Sequence, residues 1–144
     1  MKIRLTFWPM KLRLALVDDN PMDRDLATEA LDEACPDCEV ELFASGQAVL
    51  THLQTGGVLP DVILLDINMP GMNGFEVLRA LKADPRLCLI PVVMLTTSGA
   101  SEDIQQAYTL HASSYVVKAA SFSAFLEQVE SFIRYWTLNE PALV

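Results

Sequence analysis

The chain has 144 residues, 51% of them apolar and 20% charged, with 6 glycines and 8 prolines, which predicts one domain with a sizeable core and excludes disordered, collagen-like and disulfide-scaffold proteins. Nineteen acidic against ten basic side chains leave a net charge of −9, so the long-range field repels nucleic acid and anionic membranes and neither is an expected partner. No segment approaches the roughly 20 uninterrupted apolar residues of a membrane span, and Pro9, Lys11 and Arg13 interrupt the basic N-terminal stretch before it becomes a signal h-region, so a cytoplasmic protein is expected.

Residues 1–10 read as an N-terminal extension. The run 12–17 is apolar at nearly every position and reads as a first strand. Asn20 is a candidate N-cap and Pro21 suits a first helical turn, after which Leu26, Ala30, Leu31 and Ala34 form an apolar stripe. Cys35-Pro36-Asp37-Cys38 closes that helix instead of opening one, so a low-pKa thiol is not expected there. Three cysteines, an odd number, suit a reducing compartment, and no second pair completes a zinc site. Redox or metal chemistry is therefore not expected of the pair.

Residues 40–43 give a second strand, followed by a helix capped by Ser45, running to about Leu53 and ended by Gly56-Gly57. A third strand at 62–65 precedes a helix over 74–83 that carries Phe75, Val77, Leu78 and Leu81 and stops at Asp84-Pro85. The fourth strand spans 91–95, and Ser101 is expected to cap the next helix, with Glu102 and Asp103 at its positive end. After a fifth strand at 115–117, a helix from about Ser123 shows the clearest period, with Phe122, Phe125, Leu126, Val129, Phe132, Ile133 and Trp136 on one face. Residues 138–144 read as a tail. His52 and His111 have no metal-spaced partner and read as structural or surface residues.

Short apolar runs alternating with helical stretches predict an α/β protein, a doubly wound (βα)₅ parallel sheet over residues 11–137. In such sheets ligands bind beyond the carboxyl ends of the strands. The polar residues placed there are Asp18, Asp19, Asp66, Thr96, Thr97 and Lys118. Two like charges about 4 Å apart repel by roughly 4 kcal/mol at an effective dielectric of about 20, and one lysine cannot neutralise three acids. A hard divalent cation, Mg²⁺ or Mn²⁺, is the natural remedy, and Mg²⁺ accepts a phosphate oxygen into its octahedron. Asp66, at the end of the middle strand, is the candidate nucleophile, with Thr96 and Lys118 placed to hold the oxygens of a transferred phosphoryl group.

These residues resemble the CheY-like receiver domain of two-component response regulators. The resemblance covers residues 11–136 through Leu16-Val17-Asp18-Asp19-Asn20, Leu65-Asp66-Ile67-Asn68-Met69-Pro70-Gly71-Met72-Asn73-Gly74, Val93-Met94-Leu95-Thr96-Thr97-Ser98 and Lys118. The intervals of 30 residues from Asp66 to Thr96 and 22 from Thr96 to Lys118 also match. It implies the flavodoxin-like strand order 2-1-3-4-5. It implies that Asp66 accepts a phosphoryl group from a sensor kinase's phosphohistidine, making the chain a phosphoacceptor switch rather than an enzyme. Asp19 and Asp66 would ligate Mg²⁺, with Asp18 acting through water and the backbone carbonyl of Asn68 completing the shell. Thr96 and Thr97 belong to the switch segment, Lys118 pairs with the phosphate, and Tyr115 is the switch aromatic. The family commonly has a proline after the lysine, often with a cis bond. Ala119 stands there in this chain, and a cis bond before alanine costs about 2.5–4 kcal/mol, so a trans bond and a different loop are expected.

Leu95-Thr96-Thr97-Ser98, Asp103-Ile104, Leu110-His111-Ala112 and the 132–136 segment are similar to single-domain response regulators that work with bacterial phytochromes, which implies a phytochrome-linked sensor histidine kinase as partner. With the receiver taking most of the chain, output is expected through protein contact. Phe132, Tyr135 and Trp136 are the interface candidates for a homodimer through the fourth helix, fifth strand and fifth helix. Three other readings compete. An FMN carrier of this fold would place a phosphate-binding loop where Asp18-Asp19 stands. A dehalogenase-type phosphatase expects a second carboxylate where Asn68 stands. The third is a receiver-like interaction module that acts without phosphorylation.

Overall fold

The computed structural model describes residues 11–138. Five strands, β1 (Arg13–Val17), β2 (Glu39–Phe43), β3 (Val62–Leu65), β4 (Val92–Thr96) and β5 (Ser114–Val117), alternate with five helices. The helices are α1 (Pro21–Ala34), α2 (Gly46–Gln54), α3 (Gly74–Ala83), α4 (Ser101–Thr109) and α5 (Phe122–Leu138). All strand pairs are parallel and the order is β2-β1-β3-β4-β5. The expected topology is present, with Asp66 directly after the middle strand. Among the described residues no helix is long and apolar enough to cross a membrane.

The burial pattern explains the strand sequences. β3 and β4 are buried throughout and β1 everywhere but Arg13, because helices cover both faces of the sheet. The edge strands β2 and β5 are largely half-buried or exposed, which is why their sequences are more polar. Alternation along β1 sends Ala15 and Val17 to a core shared with α2, α3 and α4, and Leu14 and Leu16 to a second core shared with α1 and α5. Each face is thus sealed by its own helices, and the polar strand ends are left at one rim.

Local capping follows the sequence in most places. The Asn20 side chain accepts from the Met22 and Asp23 amides, and the Ser45 hydroxyl accepts from the Ala48 amide. Asn73 and Glu76 form a reciprocal capping box that starts α3. The expected cap at Ser101 is corrected: Ala100 is the N-cap, with no side-chain hydrogen bond, and Ser101 is the first helical residue. The Ser98 hydroxyl instead bonds Asp103 of the first turn and accepts from the Ala100 amide, tying down the entry to the helix from outside it. The expected stripe of α1 holds at Ala30, Leu31 and Ala34, which packs against the core, and is corrected at Leu26, whose place is taken by Ala27. Ala27, Ala30 and Leu31 are buried, whereas Leu26 is 45% exposed and Met22 is 73% exposed.

The expectation of a reducing compartment rather than a disulfide is corrected at Cys35 and Cys38, which are bridged. The chain turns immediately after α1, with the Cys35 amide donating to Leu31 and the Cys38 amide to Cys35. That turn brings the two Cα atoms to 5.4 Å, within bridging range. The loop it closes is so short that little unfolded-state entropy is removed. Cys88 is a free thiol.

α4 ends in a Schellman motif, with the Ala112 amide donating to Ala107 and the His111 amide to Tyr108. His111 occupies the left-handed position of that motif at φ 70°, where a Cβ is costly. His111→Gly is therefore expected to stabilise the fold by about 0.5–1 kcal/mol, read as a higher midpoint in urea unfolding. A lower midpoint would contradict the assignment of strain.

Candidate functional site

At the carboxyl rim, β1 delivers Asp18 and Asp19, β3 delivers Asp66, β4 ends in Thr96 and β5 is followed by Lys118. Asp18, Asp66 and Thr96 are buried, Asp19 and Lys118 are half-buried, and Asn68 and Thr97 are exposed. Oxygens of Asp18, Asp19 and Asp66 all lie within 4.8 Å of one another. Residues 48 positions apart in sequence meet here because β1 and β3 are neighbours in register, Val17 opposite Leu65.

Each acid has its own anchoring. Asp18 Oδ1 accepts from the Asn20 amide at 3.0 Å, and its Oδ2 from Lys118 Nζ at 2.9 Å. Arg24 reaches back from α1 to the Asp18 backbone carbonyl at 2.7 Å. Asp66 Oδ1 accepts from the Ile67 amide at 2.9 Å. Lys118 Nζ also lies 3.7 Å from Asp23.

Burial, then the neighbouring Asp18 charge, push the Asp66 carboxyl above the ordinary aspartate range, against the pull of Lys118, the Thr96 hydroxyl and the Ile67 amide. Burial alone would depress the Lys118 ammonium. Its hydrogen bond to Asp18 and the charges of Asp18, Asp66 and Asp23 outweigh that and hold it above the ordinary lysine range. The lysine is thus firmly cationic and already engaged by Asp18. A surplus of negative charge persists at Asp66 and Asp19, and the donor set is all oxygen without cysteine or histidine. That combination fits a hard divalent cation.

The Tyr115 hydroxyl donates to the Ser98 carbonyl at 2.8 Å, joining β5 to the loop that follows Thr96. Burial, followed by the nearby charges of Asp103 and Asp66, raises the Tyr115 phenol above its ordinary value, against the hydrogen bond to Ser98. The phenol therefore stays protonated as a donor. The expected trans bond after Lys118 is present, since no cis peptide occurs among the described residues. Asp23, Arg24 and Gln128 are supporting residues that sequence reasoning missed. Only Asp23 carried a signal, as an acid in the first turn of the helix after the Asp18-Asp19 pair.

The sequence matches the model of the response regulator receiver domain over residues 14–130. The chain belongs to that family. Among relatives, the receiver is 35% identical over 136 residues to the response regulator Rcp1 of Synechocystis sp., covering 90% of this chain and 92% of Rcp1. The Mn²⁺-bound structure of Rcp1 superposes with a TM-score of 0.82 at 32% identity, over 92% of this chain and 99% of that one. The phosphorylated cyanobacterial phytochrome response regulator RcpA gives 0.83 at 36% identity, over 89% and 95% of the two chains. The bacteriophytochrome response regulator AtBRR gives 0.73 at 32% identity, over 94% and 99%. The receiver is therefore similar in sequence and in fold to phytochrome-associated response regulators.

Proposed function

We propose that this receiver is a response regulator that accepts a phosphoryl group on Asp66 from the phosphohistidine of a sensor histidine kinase. The observation that carries the reading is the gathering of Asp18, Asp19 and Asp66 within 4.8 Å, with Lys118 bonded to Asp18. An Asp66 carboxylate oxygen attacks phosphorus as the phosphorus–nitrogen bond of the donor, whose imidazole carries a proton on its other ring nitrogen, breaks, leaving an acyl phosphate and a neutral imidazole. Asp19, Asp66 and the Asn68 carbonyl would hold Mg²⁺ or Mn²⁺, with Asp18 acting through water, and the ion would supply the positive charge that lets a phosphoryl group approach three carboxylates. Lys118 and the Thr96 hydroxyl interact differently with the free and the phosphorylated carboxylate, and Thr97 and Tyr115 belong to the segment that responds. Attack by water on the acyl phosphate restores Asp66, so the chain is a switch that assists its own cycle.

The similarity to RcpA and AtBRR supports a phytochrome-linked kinase as the donor. Incubation with Mg²⁺ and acetyl phosphate, followed by intact-mass measurement, is expected to add about 80 Da, one phosphoryl group. Asp66→Asn should abolish the adduct. Wild-type protein that gains no mass would support an interaction module that acts without phosphorylation and would overturn this reading.

Output is proposed to run through a homodimer using α4, β5 and α5. Tyr108, Val117, Tyr135 and Leu138 are exposed on these three elements. Tyr135 packs edge-on to Trp136 at 5.1 Å, and Trp136 lies 6.2 Å from Phe132 beside an open groove of 820 Å³. Tyr135→Glu is expected to weaken self-association at least about tenfold in sedimentation velocity. An unchanged association constant would remove this face from the interface.

A further inference from the structure

Gln128 lies on α5 between Phe125, Val129 and Phe132, all of which pack on or against the core formed with α1. Gln128 itself is half-buried, and its side-chain amide has an accepting and a donating end to pair. Both are paired, and the partners flank one residue. Gln128 Oε1 accepts from the Ala119 amide at 2.9 Å, and its Nε2 donates to the Val117 carbonyl at 2.8 Å. The residue between those two peptide groups is Lys118.

On the other side, the Lys118 amide donates to the Thr96 carbonyl at 2.7 Å. β5 is an edge strand, so no further strand is available to hold its outer side. The Gln128 side chain does what a sixth strand would do at this one position, and Lys118 is gripped through its backbone from both edges. A lysine has a long flexible stem, so the position of its Cα decides which carboxylates its ammonium reaches. Here the ammonium sits 2.9 Å from Asp18.

We propose that Gln128 is a positioning residue for Lys118: its side-chain amide fixes the two peptide groups around the lysine and thereby holds the ammonium at the phosphoacceptor site. This rests on the phosphoacceptor reading above and adds to it a residue that touches neither the phosphoryl group nor any carboxylate of the site. It follows that removing the amide slows phosphorylation only while Lys118 is there to be positioned.

The test is a double-mutant cycle on the rate of phosphoryl-adduct formation with acetyl phosphate at saturating Mg²⁺, well below the unfolding temperature of every variant. Gln128→Leu is expected to slow the rate on the order of tenfold in the wild-type background and less than about twofold in Lys118→Ala. Mg²⁺ affinity measured by calorimetry should stay the same in Gln128→Leu, because the amide contacts no carboxylate. Gln128→Asn, one methylene too short to span both peptide groups, serves as the second variant if leucine impairs folding. Equal slowing in both backgrounds, or no slowing in either, would overturn the proposal and leave the phosphoacceptor reading intact. Absence of an adduct on the wild-type protein would sink both.

Discussion

Gly74→Ala is expected to lower stability by about 3 kcal/mol and to remove phosphorylation at Asp66 together with it. Gly74 begins α3, and its amide donates to the Ile67 carbonyl at 2.8 Å. A Cβ built there would overlap the Asp66 carbonyl oxygen and come within 2.8 Å of Ile67 Cα. Both neighbours are backbone, so no rotamer change relieves the clash; either α3 shifts away from the sheet or the segment carrying Asp66 moves. The first loses packing by Phe75, Val77, Leu78 and Leu81, all buried. The second spoils the carboxylate geometry. In thermal unfolding the loss corresponds to about 6–12 °C for a domain of this size. A melting temperature unchanged to within about 2 °C, with adduct formation retained, would show that the helix is not held as tightly against the site as described.

Asp66→Asn should act in the opposite direction on stability. The wild-type carboxyl titrates above its ordinary value because it is buried and faces Asp18. A raised carboxyl pKa means the folded state holds its proton more tightly than the unfolded chain. Its contribution is fully present below the unfolded value of about 3.9 and is lost as pH rises through the folded value. At neutral pH the ionised Asp66 is thus a liability in the metal-free protein. Asparagine removes it, and the variant should melt above metal-free wild type at neutral pH, by about 2–4 °C. The advantage should shrink as the pH is lowered through the raised folded value towards the ordinary aspartate range and the wild-type carboxyl takes up its proton. Mg²⁺ should raise wild type more than the variant, since a ligand that binds only the folded state stabilises in proportion to its occupancy. A variant that melts below metal-free wild type at neutral pH would contradict the charge balance argued for the site.

The strand ends and their chemistry were legible because a parallel sheet buried on both faces leaves an unbroken apolar run, and the first polar residue after it must lie at the rim. Asp18, Asp66, Thr96 and Lys118 announce themselves in this way. Elements whose stability comes from tertiary contact were less legible. Leu26 and Ala27 are adjacent and both apolar, and only the position of α5 decides which of them is buried. The first turn of α4 is tied by Ser98 from outside the helix, which no local capping pattern contains. The disulfide escaped because spacing and compartment arguments say nothing about how sharply the chain turns after α1. Gln128 gave no signal, since its role depends on the two peptide groups that a separate strand and loop bring to it.

At the centre of the account, strand-end carboxylates hold one divalent ion next to the acceptor side chain. Titration with Mn²⁺ followed by electron paramagnetic resonance tests this most directly. One Mn²⁺ per chain is expected, bound at least about tenfold more weakly in Asp19→Asn and in Asp66→Asn, and with unchanged affinity in Asp37→Asn, an exposed acid in the turn after α1. Binding that survives both site substitutions, or no saturable binding to the wild-type protein, would contradict it.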